Sequence, residues 1–136
     1  MRFDTKIALV VREDLAPWQA LNVTAFLASG IAHASDQIMG KPYEDGAGHE
    51  YLALFREPVL VFAADSGQLA EVHRRVLSRE LPTALYTADM FGTGNDDDNR
   101  AAVLAADPQA LDLVGLAVHG PRNVVDRCTK GLPLHP

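Results

Sequence analysis

The chain has a single cysteine, Cys128, in 136 residues, which excludes an internal disulfide. Disulfides belong to oxidising compartments, so this usage points to a reducing, cytoplasmic setting. Basic residues are also few. Twelve Lys and Arg stand against eighteen Asp and Glu, a net charge of −6. Nucleic-acid binders draw much of their affinity from neutralised phosphates, so no nucleic-acid partner is expected. Long apolar runs are missing as well. The richest stretch, Pro17–Ala34, contains Gln19, Asn22, Thr24, Ser29 and His33, too polar to span a bilayer, so no membrane association is expected. Met1-Arg2-Phe3-Asp4 runs straight into a strand-like segment, without the layout of basic start, apolar stretch and small-residue cleavage site, so no signal peptide is expected. There is no internal repeat, low-complexity segment or linker, and the length suits one α/β domain over residues 1–136.

Chemistry-bearing motifs are equally sparse. The five histidines are far apart, and neither H-x-x-x-H nor C-x-x-C occurs, so no metal site is expected. Asp96-Asp97-Asp98 lacks the Gly and the distal Glu of a calcium loop and reads as a solvated, helix-capping run. Gly92-Thr93-Gly94 has no following Lys and no G-x-G-x-x-G frame, so it is not a phosphate loop, and no cofactor is expected. The absence of a Gly-x-Ser-x-Gly elbow speaks against a serine hydrolase.

What is present is an alternation of strands and helices. Lys6–Arg12 (KIALVVR) reads as a strand buried on both faces. Pro17 suits the first position of a helix that runs to Ala34 or Met39, before Gly40. Its small-residue stripe of Leu21, Ala25, Ala28 and Ala32 is expected to approach a sheet. Trp18, Asn22, Phe26, Ser29 and His33 share another face. The turn signal Asp45-Gly46 and the strand character of Tyr51–Phe55 suggest a small hairpin. Val59–Ala64 is a second buried strand. Asp65 with Gln68 forms a capping box for a helix whose inward stripe is Leu69, Val72 and Val76. Thr83–Thr87 is a third strand, and Asp89–Asn99 a polar loop. A short helix follows over Arg100–Ala106, capped by Asp97 or Asp98. Leu111–Val118 is a fourth strand. A last helix spans Pro121–Lys130, with Gly131 as its cap. The pattern predicts an α/β fold, a three-layer α/β/α sandwich on a small mixed sheet of four core strands. Right-handed crossovers would make the first three strands parallel.

Two of these stretches carry a resemblance. KIALVVREDL with its small-residue-rich helix, and LVGLAVHGPRNVVDRCTKGLPL, resemble the opening and closing segments of the type II peptidyl-tRNA hydrolases. W-x-A-L-N-x-x-A-F-L-A-S-G at Trp18–Gly30 and M-G-x-x-Y at Met39–Tyr43 make the whole chain similar to the family catalogued as domain of unknown function 2000. That resemblance implies the hydrolase fold, with core strands ordered 2-1-4-3 and the fourth antiparallel. It also implies a homodimer, since the fold relatives dimerise. The hydrolases carry a G-K-G-K run entering the first helix, where this chain has Ala16-Pro17-Trp18-Gln19-Ala20-Leu21. They carry D-A-G-R-T-Q after the third strand, where it has Asp89-Met90-Phe91-Gly92-Thr93-Gly94. Only Asp89 and Thr93 match, so the cations that a peptidyl-tRNA substrate needs are missing.

In an open α/β sheet the ligand crevice lies outside the carboxyl ends of the strands. Loops from three strands should meet there, supplying Asp14, Trp18 and Asn22, then Asp65, then Asp89 and Thr93. Asp65 is equally explained as a helix cap. His33 extends the polar ladder of the first helix as a base or a ligand, or is hydrogen-bonded at a helix end or subunit contact. The expected site is a small polar pocket with Trp18 as a stacking wall, taking a small-molecule ligand. A carboxylate-based hydrolase or transferase and a protein-binding module are the alternatives. His119 is expected in a turn. Cys128 is expected to be a small buried residue.

Overall fold

The computed structural model describes residues 2–136 and places the first apolar run at the centre of the sheet. Thr5–Arg12 forms β1, with Ile7 through Val11 all buried. Pro17–Ala34 forms α1. Pro17 stands in its first turn, and the Ala16 N–H donates to Gln19 Oε1 at 3.0 Å. A 3-10 turn at Asp36–Ile38 follows, capped by the Ser35 hydroxyl, so the helix does not reach Met39. Tyr43–Glu44 (β2) and Glu50–Tyr51 (β3) make the hairpin. Its second strand ends at Tyr51 instead of running to Phe55. Leu52 and Leu54 are exposed and bury no face that would hold an extended strand in place.

Val59–Ala64 is β4, and Ser66–Ser78 is α2 behind the expected Asp65/Gln68 capping box. Thr83–Thr87 is β5, followed by a 3-10 turn at Ala88–Gly92. α3 spans Asp96–Ala105, four residues earlier than the sequence suggests. Asn95, not an aspartate, accepts the capping bond from the Asp98 N–H at 2.8 Å. The three aspartates fill the first turn instead, where the helix dipole favours them. β6 runs from Leu113 to Pro121, beyond the expected end at Val118, because it stays paired with β1 as far as Thr5. α4 is correspondingly shorter, Arg122–Cys128. It ends at Thr129, and Gly131 takes its positive φ of 85° two residues later.

The sheet order is β4-β1-β6-β5. β4 is parallel to β1, and β6 is antiparallel to both β1 and β5. The first three long strands therefore share a direction, as their pattern predicts, and the sheet is mixed. Alternate residues of β1 serve opposite faces. Ala8 and Val10 pack with Leu69, Val72 and Val76 of α2 and Val125 of α4. Ile7 and Leu9 pack with Val23, Leu27 and Ile31 of α1.

The inward stripe of α1 thus differs from the expected small-residue one. Leu21 is 71% exposed and Ala25 is exposed, while Val23, Leu27 and Ile31 are buried. Helix and sheet come close because the sheet, not the helix, is small there. A Cβ on Gly115 of β6 would sit 2.6 Å from Val23 Cγ1. A bulge sets this arrangement. Tyr86 pairs with Gly115 and Thr87 with Leu113, so Val114 is the extra residue. Among the described residues no helix is long and apolar enough to cross a membrane.

Candidate functional site

β5 and α1 frame a concavity of about 820 Å³. This lies within the usual range for ligand pockets. The first turns of α1 form one wall with Trp18, Asn22 and Phe26. Ala84, Leu85 and Tyr86 of β5 form the floor. Phe91 and Thr93 close the end nearest the strand termini, and Asn99 and Leu104 of α3 form the opposite wall. β1 and β5 run in one direction, so the segments leaving them emerge at the same edge, which is why Trp18 and Thr93 meet.

Four aromatic rings run in a row along this groove. Trp18 meets Phe91 edge to face with centroids 5.9 Å apart. Phe91 tilts on Tyr86 at 5.2 Å, and Tyr86 meets Phe26 edge to face at 5.7 Å. Offset and edge-to-face contacts suit the ring quadrupoles and hold such a row rigid. Trp18 and Phe26 remain 63% and 50% exposed, so their rings are available to a ligand.

Apart from Asp96 and Arg100, which pair with each other, the polar side chains on the walls are uncharged. Burial pushes the Tyr86 hydroxyl pKa up, and a hydrogen bond with the Asn22 side chain offsets part of that shift. Thr93 Oγ1 donates to the Met90 carbonyl at 3.0 Å and also meets Asn99 Oδ1. The one cation on the walls, Arg100, is bound by Asp96 at 2.7 Å and Asp97 at 2.8 Å. The groove can therefore stack a ring or an apolar chain and orient it through amide and hydroxyl groups. It offers no free positive charge to an anion.

Of the residues singled out from sequence, Trp18, Asn22 and Thr93 come together in this groove. Asp14 is not on its walls. Its carboxylate accepts from Arg12 Nε at 2.7 Å, and Arg12 also holds Asp112 at 2.8 Å, contacts that raise the guanidinium pKa. Asp89 is exposed in the 3-10 turn after β5 and does not line the groove. His33 is exposed in the last turn of α1, beyond the groove's end. Asp65 caps α2. His119 lies within β6 rather than in a turn, because that strand continues to Pro121.

Tyr86, Phe91 and Asn99 did not stand out in the sequence. Phe91 is the one aromatic of a loop that reads as polar. Asn99 falls outside the helix that the sequence suggests, which starts at Arg100. With Asn95 as cap, Asn95, Asn99 and Val103 stack one turn apart on one face, and all three line the groove.

Residues 5–136 match the family described as protein of unknown function (DUF2000). The chain is also similar to a solved structure of a protein of unknown function, Atu0240, from Agrobacterium tumefaciens strain C58. The two share 47% sequence identity with a TM-score of 0.96, over 99% of this chain and 100% of that one. No curated protein matches the chain.

Proposed function

The chain belongs to the DUF2000 family, and we propose that it binds a small organic ligand in the groove between α1, β5 and α3. The observation that carries this reading is the convergence of two sequence-distant segments. Trp18, Asn22 and Phe26 from the first helix, and Tyr86, Phe91 and Asn99 from the stretch that runs from β5 into α3, line a groove of about 820 Å³. The ligand differs from the purely polar one expected from sequence. It has a ring or apolar body for the aromatic row and a few neutral polar groups for Asn22, Thr93 and Asn99. A thermal-shift screen of a chemically diverse compound set, followed by a structure with a soaked hit, tests this. Hits seated against Phe91 and weakened by Phe91→Ala are expected. Hits that lie elsewhere, or that ignore Phe91→Ala, overturn it.

A kinship of fold with the type II peptidyl-tRNA hydrolases is part of the same proposal. It is supported by the strand order β4-β1-β6-β5 and the antiparallel β6, the arrangement that the sequence resemblance implies. The hydrolase chemistry is not carried over with it. The groove has one cation, already bound by two aspartates, and the lysine run is absent. Labelled peptidyl-tRNA is expected to survive incubation with the protein. Robust turnover abolished by Asp89→Asn would reverse this reading.

A cytoplasmic location is supported by the one free, buried thiol of Cys128. A homodimer is supported by the outer face of α1, where Leu21 is 71% exposed beside the exposed Ala25.

A further inference from the structure

The floor of the groove is the open edge of a sheet. Among the described residues β5 has a neighbour on one side only, β6. In an antiparallel ladder, successive residues turn their N–H and C=O alternately toward and away from the partner strand. The His119 N–H donates to the Pro82 carbonyl at 3.4 Å. With the Ala84–Ala117 and Tyr86–Gly115 register, this turns Pro82, Ala84 and Tyr86 toward β6. Thr83, Leu85 and Thr87 therefore face the open side. The other flank of β6 agrees. The Arg122 N–H donates to Asp4 at 2.9 Å, which turns Gly120, Val118 and Leu116 toward β1 and leaves the alternate residues for β5.

On the open side, the Thr87 N–H is taken by Met90 Sδ at 3.4 Å. Leu85 lines the groove, and among the described residues its outward N–H and C=O have no protein partner. An edge strand with unpaired N–H and C=O groups is a template for pairing with another chain.

We propose that the groove binds an extended peptide, which adds to β5 as an edge strand through the backbone of Leu85. This rests on the reading of the groove as a binding site and names its ligand class. Backbone bonds to an edge strand give affinity, and pockets for alternate side chains give specificity. The side-chain contacts are Phe26 and Phe91 toward α1 and Leu104, 89% exposed, on α3. The charge of the peptide follows from the rim. Asp96, Asp97 and Asp98 open α3 against the single Arg100, which two of them already hold. An acidic peptide meets no free cation there and a basic one meets excess carboxylate, so the peptide is neutral or basic.

The test uses the full chain. Phage-displayed random heptapeptides are panned on it, selected sequences are synthesised, and binding is measured by calorimetry. Amide exchange at Leu85 is followed by NMR with and without peptide. Neutral or basic peptides are expected, slowing Leu85 exchange at least about tenfold, as a new backbone bond of roughly 1.4 kcal/mol would do. N-methylation of one alternate set of peptide amides should abolish binding, with the other set tolerated. Leu104→Ser, an exposed change that removes the apolar contact without adding charge, should weaken it.

Failure to select any peptide overturns the proposal, as does a bound peptide that leaves Leu85 exchange unchanged. So does a Leu85 amide already protected in a dimer of the free protein, since a second copy would then hold the edge. If small molecules seat against Phe91 while no peptide binds, this inference falls and the groove reading stands. If neither binds there, both fall.

Discussion

Nε2 of His119 lies 3.2 Å from Oε1 of Glu57, a carboxylate whose side chain is only 2% exposed. The approach is close but poorly aligned, and His119 Nε2 makes no hydrogen bond. The bonds to Glu57 come instead from Thr5 Oγ1, which lies 3.2 and 2.9 Å from its two oxygens. This cluster joins β1, β6 and the residue before Pro58 at the end of the sheet opposite the groove's aromatic cap. A buried carboxylate that loses its donor bears a desolvation penalty with no return. Thr5→Val keeps the shape and removes the hydroxyl. It should lower unfolding free energy by about 1–3 kcal/mol, read from urea denaturation, with Thr5→Ser close to wild type. A change within about 0.5 kcal/mol, ordinary for a surface site, would show that the bond contributes little.

Gly115 gives a second stability test. An added Cβ would lie 2.6 Å from Val23 Cγ1 and 2.9 Å from Leu27 Cδ1, and β6 is paired on both sides, with β1 and β5. Gly115→Ala should cost about 1–3 kcal/mol, the usual range for overpacking. Gly92→Ala, where nothing lies within 4 Å, is the control and should be near neutral. Equal melting temperatures for the two variants would mean that α1 can shift away from the sheet without loss.

These two sites show what the sequence could and could not state. Apolar runs such as Ile7–Val11 identify buried strands because burial on both faces leaves no alternation to confuse. Asp65 with Gln68 identifies a helix start because the two side chains satisfy local N–H groups, whatever the rest of the chain does. The inward face of α1 was not legible. The helix is apolar nearly all round, so composition allows several stripes. Val23 and Leu27 pack over Gly115, a residue far along the chain whose lack of a side chain leaves room for them. The groove was half legible for a related reason. Strand direction brings Trp18, Asn22 and Thr93 to one place. The diversion of Asp14 depends on its ion pair with Arg12, and the open backbone of Leu85 depends on pairing that no local pattern encodes.

Cys128 should be a poor nucleophile. Burial pushes its thiol pKa up, and the nearby Arg79 and Arg75 offset only part of that. A raised pKa means less thiolate at neutral pH, and the thiolate is the reactive form. A thiol-specific disulfide reagent at pH 7 should label the folded protein slowly and the urea-unfolded protein at once. Rapid labelling of the folded state would indicate that α4 opens readily.

The outer face of α1 predicts assembly. If a second copy covers Leu21, light scattering of the wild-type protein should give twice the chain mass, and Leu21→Glu should give a monomer with the fold intact. A wild-type monomer in dilute solution removes the dimer. A dimer indifferent to Leu21→Glu moves its interface off this face.

Asn22 offers the most direct test of the groove. It stands one turn after Trp18, on the wall that faces Phe91, with its amide near the Tyr86 hydroxyl. An amide has both donors and an acceptor, so it has capacity for a ligand as well as for Tyr86. Its half-buried position means that water will not replace a lost ligand bond without cost. Removing one such partner costs about 1–3 kcal/mol, so Asn22→Ala should weaken the tightest thermal-shift hit about 5- to 150-fold by calorimetry. The fold should change little, since Val23, on the neighbouring face, does the packing. Tyr86 separates two explanations. If Asn22 acts by holding the phenol in place, Tyr86→Phe weakens the ligand as much as Asn22→Ala does. If Asn22 bonds the ligand itself, Tyr86→Phe leaves affinity nearly unchanged. Unchanged affinity in Asn22→Ala would leave the aromatic row as the whole of the recognition surface.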